Sequence, residues 1–88
     1  MNIYYTSQFK KDYKRIKKQN KDLDKLRDVI EKLASGHKLE PKLRNHQLTG
    51  ERKGHRDCHI GPDWILIYHL TEDELFLERT GSHSELFK

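Results

Sequence analysis

A single cysteine, Cys58, in 88 residues excludes an intramolecular disulfide and any cysteine framework for a structural zinc. Two prolines and five glycines are too few for a low-complexity chain. No apolar run exceeds Trp64-Ile65-Leu66-Ile67-Tyr68, far short of the roughly 20 residues a membrane-spanning helix needs. The opening Met1-Asn2-Ile3-Tyr4-Tyr5 has no basic stretch leading into an apolar one, so no signal peptide and no membrane partner are expected. The expected setting is the reducing cytoplasm. Hydrophobic residues are scarce as well, 33% against 36% charged, so a core must be gathered from a few concentrated segments. At this length the reading is one domain over residues 1–88, of two packed layers.

What the chain does have is positive charge, unevenly spread. The formal net charge is +4, made of +7 over residues 1–44 and −3 over residues 45–88. Such asymmetry points to a basic face that meets a polyanion, either nucleic acid or an acidic protein.

Periodicity predicts an α+β fold. Asn2–Tyr5 reads as a short first strand. Ser7 is placed to cap a helix whose apolar face is Phe9, Tyr13 and Ile16, with Lys10, Lys11, Lys14, Arg15, Lys17 and Lys18 on the other face. Asn20 breaks that helix and Asp22 caps a second one, striped by Leu23, Leu26, Val29, Ile30 and Leu33 and closed by Gly36. Together these make an αα-hairpin. Residues 38–50 read as a loop across one edge. Strands follow at 52–60, Trp64–Leu70 and 75–80, separated by Gly61-Pro62-Asp63 and by a turn at 71–74. Trp64–Leu70 is apolar on both faces, as a strand covered by helices should be.

The chemistry concentrates in the second half. His46, His55, His59, His69 and His83 lie there among Lys53, Arg56, Asp57, Asp63 and Arg79. Histidine both gives and takes protons near neutrality. RNA cleavage needs a base for the 2′-hydroxyl, an acid for the leaving 5′-oxygen and cations for the phosphorane, and this set supplies all three. His37, His55 and His69 read as surface residues, His69 partly buried because it alternates with Ile65 and Ile67. No HxH, CxxC or HExxH spacing is present, so no metal and no cofactor are expected. Cys58 reads as a small packed residue, and Ser82-His83-Ser84 does not form a nucleophile elbow.

Resemblance extends this. The stretch Gly54-His55-Arg56-Asp57-Cys58-His59-Ile60-Gly61-Pro62-Asp63-Trp64-Ile65-Leu66-Ile67-Tyr68 resembles the centre of YafQ toxins, a branch of the RelE/ParE superfamily. Glu78-Arg79-Thr80-Gly81-Ser82-His83-Ser84-Glu85-Leu86-Phe87 resembles the C-terminal block of the same branch. Asn45-His46-Gln47-Leu48-Thr49-Gly50 is similar to its DH-x-L-x-G segment, with Asn45 in place of the Asp. Residues 7–34 fit by pattern and charge.

The resemblance implies a RelE-like fold, an N-terminal strand and αα-hairpin packed on a curved antiparallel sheet. It implies the toxin of a type II toxin–antitoxin system, cutting mRNA in the ribosomal A site. The implied partners are a DinJ-like antitoxin, mRNA with 16S rRNA on the ribosome, and operator DNA only as the toxin–antitoxin complex. Matched by position, His46, His59, Asp63 and His83 are the catalytic candidates. His83 is one half of the acid–base pair and His46 or His59 the other. Asp63 either sets a histidine tautomer or caps its own turn. Arg56 and Lys53 are read as phosphate contacts, with Asp57 beside them. Phe87 stacks on a base or anchors the tail with Leu86, and Trp64 reads as core. Lys10, Lys14 and Lys17 are expected to grip ribosomal RNA, or an acidic antitoxin segment. Two other readings stay open: a ParE-like gyrase inhibitor, and a non-catalytic module that binds antitoxin and operator.

Overall fold

The computed structural model of the chain describes residues 1–36, 46–47 and 55–87, the pair 46–47 by its backbone. In order along the chain the elements are β1 (Asn2–Tyr5), α1 (Ser7–Lys18), α2 (Leu23–Ala34), β2 (His46–Gln47), β3 (Arg56–Gly61), β4 (Trp64–Leu70), β5 (Glu74–Gly81) and α3 (His83–Leu86). The strands form one sheet in the order β1-β5-β4-β3-β2.

β3 to β5 pair antiparallel, as expected; His46–Gln47, inside the segment read as a loop, adds to β3 as an antiparallel strand; and β1 pairs with β5 in parallel, Ile3 opposite Leu75 and Tyr5 opposite Leu77. The sheet is therefore mixed. A parallel neighbour requires a crossover, and everything from α1 to β4 supplies it.

Local chemistry explains the element ends. The cap of α1 is Thr6 rather than Ser7: Phe9 N–H donates to Thr6 Oγ1 at 2.9 Å, and that hydroxyl donates to the Glu78 carbonyl at 2.8 Å. Threonine thus caps the helix and ties it to β5 with one group. Asn20, at φ 60°, ends the α1 region in the left-handed conformation that asparagine tolerates. Asp22 caps α2 by accepting from Asp24 N–H at 3.1 Å, and Gly36 follows it at φ 79°.

Both helices cover one face of the sheet. Phe9 and Ile16 of α1 and Leu26, Val29 and Leu33 of α2 pack with Cys58, Ile60, Trp64, Leu66, Tyr68, Leu75 and Leu77. Tyr13, expected on the buried stripe, is 37% exposed. Its place is taken by Asp12, whose side chain is fully buried. Alternation sends Ile65 and Ile67 of β4 to the opposite face, where they meet Leu86 of α3. Trp64 is core, its indole N–H donating to Thr80 Oγ1 at 2.9 Å while that hydroxyl donates to the Ile65 carbonyl at 2.9 Å. Leu77 is fully buried among these groups, so Leu77→Ala should cost about 3 kcal/mol in urea unfolding, the transfer and cavity terms together.

The expected strand over 52–60 is observed as Arg56–Gly61; residues 52–54 and most of the expected loop 38–50 lie outside the described residues.

Candidate acid–base site

The face of the sheet opposite the two helices carries His55, His59 and His69. β3 projects Cys58 and Ile60 into the helix-side core, which by alternation turns Asp57 and His59 the other way. A register shift lies between His59 and Gly61, and such irregularities re-aim neighbouring side chains. The turn that follows, Gly61-Pro62-Asp63, has Asp63 at φ 52°, a conformation aspartate accepts more readily than most residues. It brings the Asp63 carboxylate towards α3 on the far side of β4 and β5.

Asp63 and His83 meet there. Asp63 Oδ1 accepts the His83 backbone N–H at 2.9 Å and lies 2.8 Å from His83 Nδ1. These two bonds, with the neighbouring charges of His83 and Lys21, hold the Asp63 carboxyl below its ordinary value of 3.8. A carboxylate can only accept, so the Nδ1 atom carries the hydrogen. The His59 ring stands edge-on to the His83 ring, centroids 5.4 Å apart, and the Phe87 ring centroid lies 6.1 Å from that of His83. Both His83 and Asp63 side chains are more than half exposed, and His59 is half-buried. His59, Asp63, His83 and Phe87, which span 28 positions of sequence, form one surface cluster.

The remaining candidates are placed as follows. His46 sits in β2 directly opposite Asp57 of β3. Asp57 is only 7% exposed, and its Oδ1 has no hydrogen-bond partner among the described residues. Arg56, at the start of β3, is half-buried. Lys53 lies outside the described residues. Phe87 is 42% exposed while Leu86 is buried, so Leu86 is the anchor and Phe87 is open to a ligand. Cys58 is fully buried, and burial, aided by the Asp57 charge, pushes its thiol up to about 12; it is inert packing, as expected.

The basic helix divides in two. Lys10 and Lys14 border a groove of about 600 Å³ between β1, α1 and α2, floored by Ile3, Phe9, Leu23, Leu26 and Ile30 with Tyr5 and Tyr13 at its edge. Lys17 is exposed and lies outside that lining. Arg15 does not belong to the solvated face at all: it binds Asp12 and Glu85. That carboxylate pairing was missed because Asp12 looks like one more surface charge between lysines.

His55, read as a surface residue, is half-buried, and His69 is half-buried as its alternation with Ile65 and Ile67 predicts. Both join a row of rings that crosses β1, β5 and β4 and ends just before β3: Tyr4 stacks on Phe76 at 5.0 Å, Phe76 meets His69 at 5.9 Å, and His69 meets His55 at 5.2 Å. His55 Nε2 is 3.4 Å from Glu78. Matching side-chain parity on neighbouring strands was the available signal, once the parallel β1–β5 register is known.

An αα-hairpin on one face of a five-stranded sheet, with a histidine–carboxylate cluster on the other, defines the small RelE-like α+β class. The comparisons with known proteins narrow this. Residues 1–88 match the family described as the bacterial toxin of type II toxin-antitoxin system, YafQ. The mRNA interferase toxin YafQ of Escherichia coli K12 is 44% identical over 86 residues, covering 97% of this chain and 94% of that protein. The crystal structure of YafQ from E. coli BL21(DE3) superposes with a TM-score of 0.95 at 42% identity, covering 99% of this chain and 98% of that one. YafQ in the E. coli DinJ–YafQ complex superposes at 0.93 with 43% identity and the same coverage. The chain belongs to the YafQ family of type II toxins.

Proposed function

We propose that this protein is an mRNA interferase that cleaves messages in the ribosomal A site by metal-independent acid–base catalysis. The observation that carries the reading is the 2.8 Å contact between His83 Nδ1 and Asp63 Oδ1 with the His59 ring beside it. With Nδ1 bound to Asp63, His83 exchanges protons through Nε2. One member of the pair, His83 or its partner His59 or His46, removes the 2′-hydroxyl proton, and the freed oxygen attacks the adjacent phosphorus. The bond to the 5′-oxygen then breaks, the other member protonates that oxygen, and the products are a cyclic phosphate and a 5′-hydroxyl. Asp63 sets the tautomer and stays ionised throughout, because its pKa is lowered. Arg56 and Lys53 hold the flanking phosphates, Asp57 supports β3 beside His46, and Phe87 stacks on a base next to the scissile bond.

Family membership favours this over a gyrase inhibitor or a purely binding module, since the named E. coli relative is an mRNA interferase. The same relatives support a DinJ-like antitoxin as partner, with operator DNA bound only by the complex. The α1–α2 groove, apolar within and bordered by Lys10 and Lys14, suits an amphipathic acidic segment of that antitoxin. Lys17, outside the groove, is left for 16S rRNA.

The test is primer extension on a defined mRNA with and without translating ribosomes. Codon-phased cuts that require ribosomes support the reading; intact message in every lane removes it. Within the same assay Lys17→Glu should weaken ribosome binding and flatten its salt dependence by about one counterion, with antitoxin affinity unchanged. Lys14→Glu should lower antitoxin affinity instead. Equal ribosome binding by wild type and Lys17→Glu would return Lys17 to a solvent role.

A further inference from the structure

His83 owes its position to α3, a single turn that is too short to stabilise itself. Asp63 tethers one side of that turn. The other side is tethered by Glu85, which closes a capping box: its Oε1 accepts from Ser82 N–H at 2.8 Å, and its own N–H donates to Ser82 Oγ at 3.2 Å. Glu85 Oε2 lies 2.9 Å from Arg15 Nε of α1. Arg15 also donates from Nη2 to the Thr80 carbonyl at 2.9 Å and from Nη1 to Asp12 Oδ1 at 3.0 Å.

Asp12 is the fixed end of this chain of contacts. Fully buried, it accepts in addition from Arg79 Nε at 2.7 Å, Arg79 Nη2 at 3.2 Å and Thr80 N–H at 3.2 Å. Between the two ends lies Gly81. A Cβ there would stand 2.5 Å from Arg15 Nη2 and 3.0 Å from Glu85 Oε1, so any other residue would push the guanidinium off α3. Three observations therefore converge: a buried anchor, a guanidinium held by hydrogen bonds to Asp12 and the Thr80 carbonyl and by an ion pair to Glu85, and a glycine that makes room for it.

We propose that Arg15 is a positioning residue for His83: anchored by Asp12, its guanidinium grips the Thr80 carbonyl and the Glu85 carboxylate and so holds α3 where His83 meets Asp63. The role for Arg15 rests on the reading of His83 as an acid–base group, while the first arm of its test does not. A bidentate, planar fork is the group suited to this task, which lysine would perform poorly.

The experiment uses Arg15→Met, which keeps the length of the side chain and removes the fork. Carbon-13 NMR of the Asp63 carboxyl should show its titration moving up towards the ordinary aspartate value, because the His83 bonds that lower it are no longer held in place. In ribosome-dependent cleavage kcat should fall about tenfold or more while KM for programmed ribosomes stays within about twofold, the signature of misplacement rather than lost binding. Glu85→Gln, which leaves Asp12 and both arginines intact, should give the same pattern more weakly and replaces Arg15→Met if that variant does not fold. An unmoved Asp63 titration overturns the proposal whether or not RNA is cut. A raised KM with kcat intact overturns it too, and makes Arg15 an RNA contact. A moved titration in a protein whose wild type cuts no message supports the clamp and removes the nuclease reading alone.

Discussion

Replacing His83 with alanine is expected to leave the protein folded and to lower ribosome-dependent mRNA cleavage by roughly 10²–10⁴-fold, the usual contribution of a positioned acid–base group. The fold should be indifferent because the side chain is more than half exposed and makes no part of either apolar cluster. Its backbone N–H still reaches Asp63, so α3 keeps that tether. Primer extension beside a thermal melt checks both halves: codon-phased cuts disappear while the melting temperature stays within a few degrees. Persistence of the cuts would dismiss His83 from the chemistry. The wild-type rate should be bell-shaped in pH, because one histidine must be neutral and the other protonated. Asp63 contributes nothing to that bell near neutrality, since its pKa lies below 3.8. A flat profile between about pH 5 and 9 would rule out a histidine pair.

Asp12→Ala is the substitution expected to damage stability most. It takes from Arg79 the carboxylate that both its bonds reach and from Arg15 one of its partners, and leaves the Thr80 N–H without its acceptor in a buried setting. Removing one partner of such a pair costs about 3–5 kcal/mol; with Arg15 one-third exposed, the lower end applies. For a domain of this size that is a fall of roughly 12–24 °C in Tm. The pH dependence carries a second signature. Burial alone would raise the Asp12 carboxyl, but hydrogen bonds from Arg79 and Thr80 and the charges of Arg79 and Arg15 outweigh it and bring the folded pKa below 3.8. The resulting stabilisation is complete above the unfolded value and is lost as pH falls through the folded one. Wild type should therefore lose stability below about pH 4, and Asp12→Ala should lose less over that interval. A variant with wild-type Tm and the same acid limb would show that the arginines find other partners.

Much of the fold was legible from period and punctuation. The extent of α1, the amphipathic stripe of α2, the Asn20 break, the Asp22 cap and the strand Trp64–Leu70 are all local signals, and all appear where the sequence places them. The parallel pairing of β1 was not legible, because strand direction depends on the number of reversals in the whole chain. Nor was the burial of Asp12, since a carboxylate at i+3 from Phe9 reads as the polar face until a guanidinium is known to stand above it. The meeting of His59, Asp63, His83 and Phe87 was anticipated only through resemblance. Spacing alone gives no reason for the turn at Asp63 to face α3; that follows from the left-handed φ at Asp63 and the His83 N–H it accepts. Likewise Arg15 and Lys14 are adjacent and chemically alike in the sequence, and tertiary contacts alone separate a structural clamp from a groove-side cation.

The parallel β1–β5 pair also governs when activity can arise. β1, α1 and α2 are synthesised before the other four strands of the sheet, and Thr6 and Asp12 find their partners 72 and 68 positions later, in Glu78 and Thr80. Contacts of such long range make closure slow compared with a helical bundle. Until β5 is available β1 has no neighbour to pair with, and Thr6, Asp12 and the groups that seat α3 lack their partners. Closing of the fold and assembly of the His59–Asp63–His83 cluster are thus a single late event in the making of the chain.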